Sequence, residues 1–487
     1  FEILAPSRIK LSTSFANATN GVGAQLSPIT INLSSPAVTG GGHTLTPTSG
    51  YNPQPYTFDP ATTLNASRDS IDLGAGNGLI NGDSLIYHKG IGPRLFIDAS
   101  GDDVNFASST AGSGGLVAGN ASSATTSTLS DTRAYIGTLD NGAAAAASKS
   151  NLEVATLSVT ANHTAHFDSQ TNSMSAGVLS GSGSWATNTD DSTVQSKIGG
   201  NAVITTRDVL VKSVNTARKD LLGPDEYNVK GGAGGVATGS AAQSITDIAN
   251  HTFSEVGNGG VVTVTGSVSN PGGFELYAYN DVEGYDDIKL DSGGVINGAG
   301  ATSYIRGNVN DAFAIIGDRA KISTVGNVDL ETLTRGVIKV EPQVHTYGLA
   351  SAAAVDGLVL MNSNNQAVVG GGATVDAKGS INLLAGKNRD GTRSAYTLTS
   401  RGDELNASAI PISSLKSHGE VNQSNTVTVG GSAVLKAGRD AALQAERDAS
   451  VVIKATGKGQ SWLSALAGAI DSLAGAKGIS DDVRGGT

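Results

Sequence analysis

The densest run of chemically capable side chains lies between Phe274 and Lys289. Asn280-Asp281-Val282-Glu283-Gly284-Tyr285-Asp286-Asp287 places four carboxylates in eight residues. Hard oxygen ligands gathered on a loop suit Ca²⁺, so Asp281, Glu283, Asp286 and Asp287 make a candidate metal site, with Ca²⁺ the only cofactor the sequence suggests. The run lacks the regular Asp spacing of an EF-hand or a Gly-rich calcium nonapeptide, and a solvated acidic loop would have the same composition. Phe274, Tyr277, Tyr279 and Tyr285 sit beside it, in a chain with only 5% aromatics. A flat aromatic surface of this kind could stack on sugar rings, or it could cover a rod or pack at a subunit contact. Asp286, Asp287 and Lys289 also form the one local grouping of acids and base of the kind a polysaccharide-cleaving groove needs.

Other chemical signals are thinner. No nucleophile elbow Gly-x-Ser-x-Gly and no phosphate loop ending in Gly-Lys-Ser/Thr is present. His163 and His166 are the only close histidine pair. On a strand, positions three apart face opposite ways, which argues against a shared metal and for surface polar residues. Arg401-Gly402-Asp403 matches a tripeptide read by some matrix receptors, but three residues recur by chance in a Gly-rich chain.

Composition limits what can position these groups. The chain has 487 residues, 65 Gly, no Cys and a formal charge of −11. So much Gly disfavours helices, because each helix-interior Gly costs about 1 kcal/mol relative to Ala. The absence of Cys excludes a disulfide scaffold and thiolate metal sites. An acidic chain without basic blocks gains nothing from phosphate contacts, so nucleic acid is not an expected partner. No apolar run of about 18 residues exists, so membrane insertion by a helix is not expected.

A long internal repeat supplies the architecture. Ser113-Gly-Gly-Leu-Val-Ala-Gly, Ser175-Ala-Gly-Val-Leu-Ser-Gly, Ala233-Gly-Gly-Val-Ala-Thr-Gly, Ser292-Gly-Gly-Val-Ile-Asn-Gly and Thr346-Tyr-Gly-Leu-Ala each open a segment of about 25 residues closed by a glycine. The closing glycines are Gly137, Gly199, Gly257, Gly317, Gly370 and, after a degenerate opening, Gly430, so they recur at intervals of about 60 residues. After Gly370, for example, Ala373, Val375 and Ala377 alternate with polar residues. The pattern breaks at Lys378-Gly379-Ser380 and resumes at Ile381, Leu383 and Ala385. Period two marks a strand with one buried face, and a polar Gly-containing triplet marks a bend.

Units that bury an apolar face only against neighbours make a parallel β-solenoid. The expected fold is therefore all-β, with each ~60-residue repeat forming about three coils of about 20 residues. Some 18 coils would give a rod of roughly 80–90 Å. A β-sandwich array is the competing architecture, disfavoured because sandwiches need larger core side chains.

The units SGGLVAGNASSATTSTLSDTRAYIG and VVGGGATVDAKGSINLLAG resemble repeats of large secreted bacterial adhesins, the filamentous-haemagglutinin-like and leukotoxin-type exoproteins of two-partner secretion. Residues 70–87 resemble a short β-rich module found between such repeats. The resemblance covers most of residues 62–455. It implies a right-handed β-helix, export to the bacterial surface or extracellular space, and roles in adhesion, aggregation or matrix building. The implied partners are further copies of the chain, lateral or end to end, and cell-surface or matrix glycans. The expected organisation is an irregular β-rich segment at 1–61, a small module at 62–101, solenoid repeats at 102–455 and a tail at 456–487. That tail is either a short helix carrying Trp462, Leu466, Ile470 and Leu473 or the start of another repeat. A β-helical polysaccharide-binding module or lyase is the alternative function.

Overall fold

A computed structural model describes residues 94–138, 151–200, 202–219, 226–266, 272–446 and 452–458 with their side chains, and the backbone of further strands on either side. The fold is all-β and parallel, as the alternation requires. Arg94–Ile136 pairs in register with Thr156–Ile198, from Arg94 opposite Thr156 to Ile136 opposite Ile198. The series continues through Asp208–Lys219, Val229–Gly234 and Ala237–Val256, then Gly273–Ile316, Asn327–Val369 and Ala395–Val429.

Each run folds back on itself. Asn105 donates to Thr128 at 2.7 Å and Ser130 bonds Asp103, so the outgoing and returning halves of the first run face each other. In the Gly273–Ile316 run, Ser292 donates to Asn297 at 2.7 Å across the bend itself. The bends fall at the Gly-Gly-Leu-Val-type openings of the repeat. From there the chain returns to the closing glycine and enters a short third face. Six strands stack on that face: Asn151–Glu153, Val203–Thr206, Val261–Val264, Lys321–Thr324, Thr374–Ala377 and Val434–Ala437. The triplet Lys378-Gly379-Ser380 then turns the chain onto the next outgoing strand, Ile381–Ala385.

This corrects the expected coil count. A residue's partner lies one whole repeat away, so the ~60-residue unit is one coil, not three. Seven coils are present among the described residues. At about 4.8 Å per rung they rise only about 29 Å, while each long face of about 20 residues extends about 65 Å. The domain is a flat slab, wider than it is tall.

The physical reason lies in the interior. Inward positions alternate with outward ones along the full face, but the inward residues form three apolar lanes separated by two polar ones. Leu157, Val211, Leu276, Leu330 and Leu383 belong to the lane beside the third face. Phe167, Ile305, Val340 and Tyr396 belong to the middle lane, and Ile288, Val344 and Leu415 to the lane near the bend. Between them, polar side chains satisfy one another: Asn188 takes Ser169 at 2.8 Å and donates to Thr246 at 3.1 Å, and Asn365 donates to Asn425 at 2.9 Å. In sequence these polar lanes interrupt the apolar pattern and pass for loops. In space they are continuous strand.

Two glycine ladders hold the coil shape. At the closing corner each glycine N–H bonds the coil before it, as Gly199 to Ile136 O at 2.6 Å and Gly370 to Ile316 O at 2.7 Å. A Cβ on Gly199 would lie 2.6 Å from the Thr138 backbone. At the bend, Gly177, Gly235 and Gly348 stack so closely that a Cβ would lie 2.4, 1.8 and 2.0 Å from the carbonyl oxygen of the glycine in the coil before.

The ends also differ from expectation. The first coil opens at Arg94, inside the stretch assigned to an inter-repeat module. Ser14–Asn20 pairs antiparallel with Ser130–Ile136, which caps part of the first coil. At the far end, Val452–Ser461, Ala469–Ala476 and Ser480–Gly485 pair parallel with Ala395–Val429. The tail is thus another coil, and Ile470 and Leu473 lie on a strand rather than a helix. Trp462 and Leu466 lie outside the described residues.

Candidate functional site

The acidic and aromatic run occupies the outgoing strand of Gly273–Ile316, and period-two geometry divides it. Phe274, Asn280, Val282 and Asp286 point inward, while Tyr277, Tyr279, Asp281, Glu283, Tyr285 and Asp287 point outward. The four candidate Ca²⁺ ligands therefore do not converge. No group of three or more potential metal-ligating side chains occurs among the described residues. The aromatic set loses Phe274, which is fully buried in the lane beside the third face.

The outward groups are engaged with neighbouring coils. Arg335 reaches Asp281 at 2.7 Å, and Arg218 pairs with Glu283. The Tyr285 hydroxyl donates to Glu341 at 2.9 Å, and the Lys339 ammonium lies 4.8 Å from the same ring. Gln343 donates to Asp287 at 3.1 Å. Partial burial, reinforced by Glu341, pushes the Asp287 carboxyl up to about 7. Lys212 sits 5.2 Å from the Tyr277 ring, and the Tyr277 and Tyr279 rings lie side by side at 6.3 Å, tilted by 33°.

A second cluster on the same face was not foreseen. Between Ile381–Ala385 and Ala395 the chain makes a charged loop, Gly386 to Ser394. Its Arg389 N–H donates to Glu331 at 3.0 Å, and its guanidinium pairs with Asp329. Burial raises the Glu331 carboxyl to about 7, against the Arg389 backbone bond. Burial also raises Glu275, aided by Asp329. A cleft of about 460 Å³ opens here, lined by Asp208, Glu275, Asp329 and Arg389. The sequence signal was the charged insertion within an otherwise regular repeat.

Two interior features were also missed. Lys219 is fully buried and reaches Asp286 at 2.8 Å and Asp168 at 3.1 Å. Burial pulls its pKa down, but the two carboxylates outweigh that and hold it above the usual lysine value. Asp190 stacks on Ile248 in the middle apolar lane, and neither of its carboxylate oxygens has a hydrogen-bond partner. The nearby Ser192 hydroxyl, which would oppose a shift, is directed at Asn215 and Asn250 instead, at 3.1 and 3.0 Å. Burial, then Asp103 and Asp191, push Asp190 up to about 8.

A raised acid makes the folded state bind more protons than the unfolded one, so stability falls as pH rises from about 4 to about 8. Asp190→Asn removes that slope but leaves a buried amide. We expect it to gain roughly 1–3 kcal/mol at pH 7.5 and nothing at pH 4, measured by urea unfolding at both pH values. Equal effects at the two pH values would contradict the assignment.

The histidine pair behaves as strand geometry requires, with His163 inward and His166 outward. His163 is not a surface residue, however: it is buried, with Nε2 3.0 Å from Asp103. Arg401-Gly402-Asp403 lies within a continuous strand, its Gly402 facing Val355 and Leu415 in the interior. No family model, curated protein or solved structure matches the chain.

Proposed function

We propose that this chain is a non-enzymatic, structural and adhesive segment of a large secreted bacterial surface or matrix protein. Its activity is the rigid parallel stack itself. The observation that carries this reading is the use made of its densest chemistry. Asp281, Glu283, Tyr285 and Asp287 all bond to side chains on adjacent coils, and Asp286 is consumed by the Lys219 core pair. Such rung-to-rung bonds stiffen the slab along its stacking axis and leave these groups committed. Incubation of the purified chain with acidic polysaccharides is expected to release no new reducing or unsaturated ends, while immobilised chain retains glycan-coated beads. Released ends would overturn the reading.

One observation favours a glycan-binding role within the same frame. Tyr277 and Tyr279 present paired rings on the outward face, next to the cleft that holds Glu275 and Arg389. Sugar rings stack on surfaces of this kind while polar rims meet charged neighbours. Tyr279→Ala is expected to lower bead retention several-fold without changing the far-ultraviolet circular dichroism. Unchanged retention would remove the role.

A further inference from the structure

The buried lysine of the interior has more chemistry around it than an ion pair needs. Asp168, Lys219 and Asp286 come from three successive coils. Their side chains are sealed from solvent, at 2%, 0% and 0% exposed. The Lys219 ammonium donates to Asp286 Oδ1 at 2.8 Å and to the Tyr285 carbonyl at 3.0 Å, and lies 3.1 Å from Asp168 Oδ1.

The surroundings treat the two acids differently. Both Asp286 oxygens accept hydroxyls: Ser244 donates to Oδ1 at 2.7 Å, and Ser303 donates to Oδ2. Hydroxyl donors thus already sit where charge would develop if the Asp286 carboxyl carbon were attacked. Asp168 Oδ1 accepts the Ser169 N–H at 2.9 Å and the Asn228 amide at 2.6 Å, which fix it beside the lysine nitrogen.

We infer that Lys219 and Asp286 condense after folding into an isopeptide bond, with Asp168 carrying a proton between them. The ion pair is the reactant. The ammonium first passes one proton to Asp286 Oδ1, giving a neutral amine and a carboxylic acid. The amine lone pair then attacks Asp286 Cγ. The Nζ–Cγ bond forms, and the carbonyl electron pair moves to Oδ2, where the Ser303 hydroxyl meets it. Asp168 takes a second proton from the nitrogen and delivers it to Oδ1. The Cγ–Oδ1 bond breaks, the oxygen leaves with that electron pair as water, and the Oδ2 pair re-forms the carbonyl. Of the ammonium protons, two leave in water and one stays on the amide. Asp168 ends as it began, and no oxidant or cofactor enters.

The dry interior favours this direction. Condensation replaces an ammonium and a carboxylate by a neutral amide, so two buried charges disappear. The facing carboxylates keep the Lys219 proton from solvent, but a transfer inside the cluster surrenders nothing to solvent. Burial raises Asp168 as well, which suits it to hold a proton in transit. Surface pairs lack this drive: the lysines of Lys339–Glu341 and Lys378–Asp376 are 41% and 68% exposed, and water solvates their ions. The bond would join residues 67 apart in sequence and clamp two adjacent coils in a chain without cysteine. It is independent of the adhesive reading, because mass reports the bond whether or not the chain retains glycans.

The experiment is intact-mass and tryptic-peptide mass spectrometry of the full folded chain, sampled over days. The wild type is expected to lose the mass of one water. Fragmentation should show the peptide that begins at Lys219 joined to the one that carries Asp286, with Lys219 uncut by trypsin. Lys219→Arg keeps the charge and should keep the full mass. Asp168→Asn keeps both reactants, and once circular dichroism shows that it folds, it should slow the loss of water by about a hundredfold or more. A folded wild type that retains its full mass, or a linkage to a residue other than Asp286, would overturn the proposal. Water loss that persists in Lys219→Arg, as from an aspartyl succinimide, or an unchanged rate in folded Asp168→Asn, would do the same. The wild-type peptide map decides the matter even where a variant fails to fold.

Discussion

Lys219→Met is expected to lose about 3–5 kcal/mol at neutral pH, as when one partner of a buried ion pair is removed. The methionine fills similar space, so the loss is electrostatic. Asp168 and Asp286 would stay in the interior without the ammonium that now lies 3.1 and 2.8 Å away. Hydroxyl and amide neighbours remain, Ser244 at 2.7 Å from Asp286 and Asn228 at 2.6 Å from Asp168, but they carry no charge. The stranded carboxylates would bind protons more readily folded than unfolded, so stability of the variant should rise as pH falls toward about 4. Urea unfolding at pH 7.5 and 4.5 checks this. A loss of the same size at both values would mean that Lys219 contributes packing alone.

Gly235→Ala is expected to lose about 3 kcal/mol or more, because several rung hydrogen bonds of about 1 kcal/mol each must lengthen together. The new Cβ would lie 1.8 Å from the Gly177 carbonyl oxygen, which is backbone and cannot rotate away. Relief requires the two coils to part at the bend, where Val236 N–H bonds Val178 O at 3.0 Å, while Gly235 N–H, bonded to Gly293 O at 3.1 Å, holds the glycine to the coil on its other side. Gly239→Ala, four residues on, meets open space and should change stability by no more than about 0.5 kcal/mol. Thermal unfolding of the two variants side by side separates them. Equal effects would show that the bend ladder does not set coil spacing.

Both expectations depend on which glycines and charges face inward, and that was only partly legible in the sequence. The repeat, its closing glycines and the bend at Lys378-Gly379-Ser380 could be read directly, since each corner needs a residue without a side chain or a polar triplet. The coil count could not. Stretches such as Ser184 to Ser196 are rich in Ser, Thr, Asn and Asp, and they suggest loops, yet their inward members pair across the slab and keep the strand continuous. The candidate site failed for a related reason. Four acids close in sequence look like a cluster, but extending the phase of Phe274, Leu276 and Ala278 places Asp286 inside and Asp281, Glu283 and Asp287 outside. The same parity would have flagged Lys219 in line with Val211 and Ala217. The reach of Arg389 to Asp329 and Glu331 was not legible at all, because it joins residues one coil apart whose proximity only the register creates.

The central claim is that one repeat makes one coil. Ser123, Trp185, Gln243, Thr302, Asp356 and Lys416 form a single outward column with one member per coil. The chain has no cysteine, so spin labels can be placed cleanly with Ser123→Cys and Lys416→Cys. Five rungs separate the two sites, and electron–electron dipolar spectroscopy should find a distance of about 24 Å, widened only by the label tethers. A distance of about 72 Å, the spacing for three coils per repeat, would contradict it.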